Sequence, residues 1–117
     1  MLISAAAPEG VTGAISAASI AELHFGVLVT DTADERARRV QRLGIIEATF
    51  DPLPVDVDVA REWGRLSAAV KDRGGRPRKR TVDLAIAATA NVQGVPLLTT
   101  NLSDFRIISD LVDVREP

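Results

Sequence analysis

Cysteine and tyrosine are absent from this sequence, and histidine, tryptophan and methionine each occur once. Without cysteine there are no disulfides and no thiolate zinc sites, and the single histidine, His24, cannot build a His-rich metal centre. A metal held by this chain would be bound through oxygen, which selects Mg2+ or Mn2+ over zinc or copper. Aromatic residues make up 3% of the chain against 46% hydrophobic residues overall, so the core is expected to be aliphatic. No apolar run approaches the roughly 18 residues of a membrane span. The opening MLISAAAPEG lacks the basic n-region and the long apolar stretch of a secretory leader. A soluble, cytoplasmic protein is expected.

The 117 residues suit a single domain, long enough to bury a core without covalent or metal staples. A net charge of -2 conceals an uneven distribution. Lys71–Arg80 (KDRGGRPRKR) carries six basic residues and one acid, which leaves the remainder clearly acidic.

Residues 1–10 read as the tail of an Ala-rich helix or a loose end, stopped at Pro8-Glu9-Gly10. Val11 to Ile15 is a short strand candidate. A helix is predicted from Ser19 to about Val29, with Ile20, Leu23 and Val27 at helical spacing. A second follows the Asp31-Thr32 cap, with Ala33, Ala37, Val40 and Leu43 on one face and four arginines on the other. Phe50 to Val57 alternates, with Leu53, Val55 and Val57 on one side, and its two prolines suit a short strand or the approach to one. Val59, Trp63, Leu66 and Val70 mark an amphipathic helix that ends at Gly74-Gly75. A further helix, a strand at 95–99, a turn near Ser103-Asp104-Phe105 and a last strand near 112–114 complete the pattern. Strands alternating with helices indicate an α/β fold with a mainly parallel sheet.

Between Arg80 and Asp104 the only charged residue is Asp83. It adjoins Leu84-Ala85-Ile86-Ala87-Ala88, apolar on nearly every face and therefore read as a buried helix. A carboxylate there must be paired, hydrogen-bonded, metal-bound or protonated. Glu22 is likewise the only charge between Glu9 and Asp31. Each acid also has an ordinary explanation: Ser19-x-x-Glu22 is a capping box, Asp83 suits a helix start behind a Thr81 cap, and Asp104 suits an Asx-type turn after Asn101. Together they point elsewhere. In open α/β sheets the ligand crevice lies beyond the carboxyl ends of the strands, and acids converging there repel one another unless a cation sits between them. A divalent ion so held activates water and stabilises charge on a phosphodiester under cleavage. The basic stretch, otherwise a solvated loop, would hold substrate phosphates.

The sequence Ser19-x-x-Glu22-Leu23, then Asp83-Leu84-x-Ile86-Ala87-Ala88, then Leu98-Thr99-Thr100-Asn101-x-x-Asp104-Phe105 resembles that of PIN-domain ribonucleases. Its length and the basic segment before Asp83 most resemble the VapC toxins of toxin–antitoxin pairs. The resemblance runs from about Val11 to Val114. It implies a PIN-like three-layer fold and Mg2+- or Mn2+-dependent cleavage of RNA, tRNA or rRNA in many members. It also implies homodimerisation and inhibition by a VapB-like antitoxin. By position, Glu22, Asp83 and Asp104 match the family's catalytic and metal-binding acids, and Ser19, Thr100 and Asn101 its supporting polar positions. Arg76, Arg78, Lys79 and Arg80 are the candidates for RNA contact.

One departure stands out. The family begins with a strand ending in Asp, ahead of the strand placed here at Val11, yet only ten residues precede Val11 and none is Asp. The expectation is an N-terminally shortened domain over residues 1–117, lacking its first strand and first ligand. Such a chain would be poorly stable and weakly active, either because the true start lies upstream or because the protein is a shortened relative. The competing reading is a catalytically silent PIN-like module that binds an antitoxin or RNA. A receiver-type phosphoacceptor domain is disfavoured, since no acidic pair lies near the start.

Overall fold

Among the described residues five strands form one sheet, in the order Pro52–Leu53 (β3), Gly10–Ser16 (β2), Leu2–Ala7 (β1), Leu97–Leu98 (β4) and Val114–Arg115 (β5), accompanied by four α-helices. The structure is a computed structural model that describes residues 2–7 and 10–117, with side chains from residue 14 onward. Strand β1 is Leu2–Ala7 and β2 is Gly10–Ser16. The short β3 (Pro52–Leu53), β4 (Leu97–Leu98) and β5 (Val114–Arg115) complete the sheet. The outer pairs β2/β3 and β4/β5 are parallel, as expected of an α/β fold, whereas β1 runs antiparallel to both of its neighbours.

The position of β1 overturns one expectation. Residues 2–7 are neither the tail of a helix nor a loose end. They pair from Ile3↔Ala14 to Ala7↔Gly10 on one side, and at Leu2↔Leu98 and Ile3↔Leu97 on the other. The place beside β2 and β4 that was expected to stand empty is thus filled. Strand backbone at the centre of a sheet must find partners on both edges, and a hairpin folded back along β2 supplies them. Pro8 and Glu9, part of the expected stop, lie outside the described residues.

Helix α1 is Ala17–Leu28, so it opens two residues before Ser19. Its N-cap is Ser16, whose Oγ accepts the Ala18 N–H at 3.1 Å, and Ser19-x-x-Glu22 is therefore not a capping box. Helix α2 (Ala33–Thr49) starts as expected at Thr32, which accepts the Glu35 N–H. The strand expected over 50–57 shrinks to β3, because prolines 52 and 54 withhold ladder donors. Asp56 then caps α3 (Val57–Asp72), accepting the Val59 N–H at 3.0 Å. Helix α3 turns Val59, Leu66 and Val70 inward, as its periodicity required.

Helix α4 (Thr81–Gln93) lies against α3, α1 and β1. Residues Leu84 to Ala90 are all buried, without interruption. Its C-terminus is closed by Gly94 at φ 68°, where the Val95 N–H reaches back to Ala90 O at 3.1 Å. Thr81 does not cap this helix; its hydroxyl donates instead to Arg78 O. A 3-10 turn over Pro77–Arg80 precedes α4, and a 3-10 helix over Leu102–Ile108 follows β4.

Thr89 is the one hydroxyl buried within α4, and its bonds tie α4 to the start of α1. Its proton goes to Ala85 O at 2.8 Å. Ser16 must therefore be the donor in the 3.2 Å contact between Ser16 Oγ and Thr89 Oγ1. Thr89→Val keeps the shape but leaves the Ser16 hydroxyl buried without an acceptor, a loss of about 1–3 kcal/mol. Urea unfolding of this variant should show a lower midpoint at unchanged slope, with Thr89→Ser close to the parent. An unchanged midpoint for Thr89→Val would show that the hydroxyl chain carries no stability.

Candidate functional site

Two of the three predicted acids come together. Asp83 lies in the first turn of α4 and Asp104 in the first turn of the Leu102–Ile108 helix. Between them stands Arg80, whose Nη1 is 3.1 Å from Asp104 Oδ1 and 3.8 Å from Asp83 Oδ2. The sequence explains the arrangement. Arg80 sits three residues before Asp83, so one helical turn brings the two side chains alongside each other. Asp104 is delivered by the chain leaving β4. There the buried Thr99 side chain accepts the Asn101 N–H at 3.0 Å, and Asn101 O accepts the Asp104 N–H at 3.1 Å. Thr100 and Asn101, the expected supporting polar residues, are exposed in this turn. Asn101 shapes it through its backbone rather than through an Asx bond.

Asp83 has 29% of its side chain exposed. Burial pushes its carboxyl above the usual carboxylate range; Arg80 opposes this, and the negative charge of Asp104 reinforces it. Two carboxylates against one guanidinium leave the trio with one unbalanced negative charge. This is the electrostatic environment in which an added cation is favoured.

Glu22 is elsewhere. It is exposed on α1 and lines two pockets beside α1 and α2, together with Leu23 and Arg42. One of these pockets reaches α4 at Ile86, a helical turn beyond Asp83. Among the described residues, no three His, Asp or Glu side chains gather closely enough to hold one ion. The expected three-acid cluster is accordingly a pair, Asp83 with Asp104, and Glu22 stands apart from it. Ser19 is buried beside Glu22, and its hydroxyl has no hydrogen-bond partner among the described residues.

The donor set suits a hard cation. His24, the one soft nitrogen donor, is engaged with Glu47 at 3.0 Å on the exposed surface. The Asp83–Asp104 pair offers only carboxylate oxygen, and Mg2+ is commonly held by one or two carboxylates with water completing its shell.

The acid pair opens into a cleft of about 400 Å3. The expected RNA-contact residues Arg76, Lys79 and Arg80 lie along it, while Arg78 is exposed outside its lining. Sequence reasoning missed Gly75, Arg106 and Ile107, which also line the cleft. Gly75, read from the sequence only as a helix stop, is closely surrounded: a Cβ there would lie 2.7 Å from Val70 Cγ1 and 2.8 Å from Ile107 Cδ1. Only glycine lets the basic segment approach so closely.

The raised pKa of Asp83 carries a stability consequence. Between the ordinary carboxylate value and its raised folded value, the native state holds a proton that the unfolded chain has released. Stability therefore falls as pH rises through that window, and the penalty persists above it. Asp83→Asn removes it, so the variant should melt at a higher temperature than the parent at pH 7. The difference should close below about pH 4. A lower melting temperature at pH 7, or a difference that persists in acid, would contradict this.

The PIN domain family profile matches residues 2–111. Ribonuclease VapC5 of Mycobacterium tuberculosis (strain ATCC 25618 / H37Rv) is 37% identical over 102 residues, covering 87% of this chain and 73% of that protein. Ribonuclease VapC8 of the same organism is 35% identical over 86 residues, covering 74% of each. The crystal structure of VapBC-5 from M. tuberculosis, a member of the VapBC family of toxin–antitoxin systems, superposes with a TM-score of 0.76 at 36% identity, over 88% of this chain and 79% of that one. VapBC-1 from nontypeable Haemophilus influenzae shares the fold alone, with a TM-score of 0.71 at 21% identity over 88% of this chain and 72% of that one. The matched span takes in β1, α4 and both acids of the cleft, and the chain belongs to the PIN-domain family, among its VapC-type members.

Proposed function

We propose that this chain is a single-domain endoribonuclease toxin that cleaves RNA with the help of Mg2+ or Mn2+ and is held in check by a VapB-like antitoxin. The observation that carries this reading is the Asp83–Arg80–Asp104 trio at the mouth of a cleft edged by Arg76 and Lys79. The similarity to ribonucleases VapC5 and VapC8 and to the VapBC-5 complex supports both the activity and the partner.

Asp83 and Asp104 would hold the ion. A divalent cation there supplies Lewis acidity, neutralising charge on a phosphodiester under attack. The remaining work falls to the chain's own side chains. Arg76 and Lys79 draw the phosphate backbone toward the acids and offset its charge. Arg80 holds both carboxylates in place and limits their mutual repulsion. Glu22 and Ser19 remain candidates for a supporting role from the neighbouring pocket, and Thr100 and Asn101 for shaping the turn that presents Asp104.

The partner surface also has physical support. Helices α1 and α2 expose Phe25 (64%), Leu28 (75%) and Ile45 (60%), with Val29 and Val40 beside them. Apolar side chains gathered on one helical hairpin suit coverage by an antitoxin or a second copy of the chain. Among the described residues no helix is long and apolar enough to cross a membrane.

Cleavage of single-stranded RNA by the purified chain should require added Mg2+ or Mn2+ and stop with EDTA. Asp83→Asn or Asp104→Asn should each lower the rate at least about 100-fold, the scale expected for losing a group that stabilises transition-state charge. Full activity in both variants would refute the assignment of the site. Replacing Arg76, Arg78 and Lys79 together with Ala should flatten the log–log salt dependence of RNA binding by about 0.7 for each lost phosphate contact. An unaltered slope would return the segment to the status of a solvated loop.

A further inference from the structure

The two acids of the cleft already hold a positive charge between them. Arg80 closes the Pro77–Arg80 turn, and its Nη1 lies 3.1 Å from Asp104 Oδ1 and 3.8 Å from Asp83 Oδ2. Other arginines of this chain are held differently. Arg65 grips Glu62 with two nitrogens at 2.6 and 2.7 Å, and Arg73 grips Asp110 with two at 2.6 and 3.1 Å. Those are forked pairs, the arrangement that fixes a guanidinium on one carboxylate. Arg80 instead presents the same nitrogen to two acids, and the longer contact exceeds hydrogen-bond reach.

A guanidinium held so loosely competes with any ion bound there. Mg2+ keeps its oxygen ligands at about 2.0–2.1 Å. An ion on Asp104 Oδ1 would therefore lie within about 5 Å of Arg80 Nη1, which stands 3.1 Å from that oxygen. Cations so close repel each other, and the divalent one carries the larger charge. Arg80 is the one free to move. Its side chain is 41% exposed, and ion pairs at such exposure are weak. The cleft beyond the acids, about 400 Å3 in volume, gives it space to withdraw.

We propose that Arg80 is a resident stand-in for the metal: it neutralises Asp83 and Asp104 while the ion is absent, and is displaced from them when the ion binds. The proposal rests on the reading of the two acids as the ion's ligands and adds an exchange to it. Arg80 is thereby a positioning residue. It keeps two neighbouring carboxylates from driving each other apart in the metal-free protein, and in doing so it weakens their hold on the ion. Once displaced, its charge is no longer cancelled by the acids and adds to the basic edge formed by Arg76 and Lys79. A purely structural latch between the turn before α4 and the Leu102–Ile108 helix would act in the opposite sense. Removing such a latch would loosen the acids and weaken ion binding.

The test is the Mn2+ affinity of the full chain, read from the electron paramagnetic resonance of the free ion, with uptake that survives in Asp83→Asn subtracted as adventitious. Arg80→Gln should bind Mn2+ roughly 2- to 30-fold more tightly than the parent, the gain from no longer breaking two exposed ion pairs. Arg80→Lys, which keeps the charge, should stay near the parent. Equal or weaker binding by Arg80→Gln overturns the exchange and leaves the ribonuclease reading standing. The parent supplies a second readout that needs no substitution. In its 15N spectrum the Arg80 Nε–Hε signal should move toward that of the exposed Arg78 as Mg2+ is added. A signal unmoved at saturating Mg2+ shows the guanidinium still on the acids and overturns the proposal as well. If neither the parent nor Arg80→Gln takes up Mn2+ in a manner that Asp83→Asn abolishes, the assignment of the two acids falls, and the exchange falls with it.

Discussion

Helix α4 is enclosed on nearly every side, and that enclosure determines where a charge on it can be tolerated. From Leu84 to Ala90 no position reaches solvent, so a carboxylate is admissible only at the ends of the helix, and Asp83 lies at the first turn, where α4 meets the cleft. Even there Asp83 resists ionisation because of its burial. Arg80 and Asp104 then complete a small electrostatic system in which a guanidinium stands between two carboxylates. The trio stands in the lining of the cleft, beside Arg76 and Lys79. With Arg80 and Asp104 each about two-fifths exposed, these ion pairs contribute little to stability.

The sheet reflects a second constraint. Between β2 and β4 the fold requires a strand, and β1 fills the place in antiparallel orientation. Ile3 is thereby paired on both sides, with Ala14 and with Leu97, while Ser4–Ala7 pair with β2. Because β4 leads directly to Thr99, Asn101 and Asp104, the hairpin that supports β4 also helps position the second acid.

Much of this was legible in the sequence, for identifiable reasons. Asp83 was conspicuous because it is the sole charge in an apolar stretch, and α3 because Val59, Leu66 and Val70 recur at helical spacing. Strand β1 was not legible. Its Ala5-Ala6-Ala7 favours helix by local propensity, and only pairing with residues distant in sequence makes it a strand. The proper start of α1 was obscured for a similar reason: Ser16 and Ser19 are both acceptable caps, and the buried Thr89, 73 residues from Ser16, favours the first. The convergence of Glu22 with the other acids was inferred from the fold class. That inference anticipated that Asp83 and Asp104 come together but not the separation of Glu22 from them. Arg80 was read as a phosphate contact, whereas its spacing from Asp83 makes it first an internal counter-ion.

The central claim is that Asp83 and Asp104 form the cation site of this protein. Titration of Mn2+ into the uniformly 15N-labelled chain tests it directly, since the bound paramagnetic ion broadens the amide signals nearest to it. The account predicts that signals from residues 80–84 and 103–105 broaden first, at Mn2+ levels that leave those around Glu22 and His24 sharp. Broadening centred on Glu22 or on the His24–Glu47 pair, with residues 80–84 and 103–105 unaffected, would contradict it.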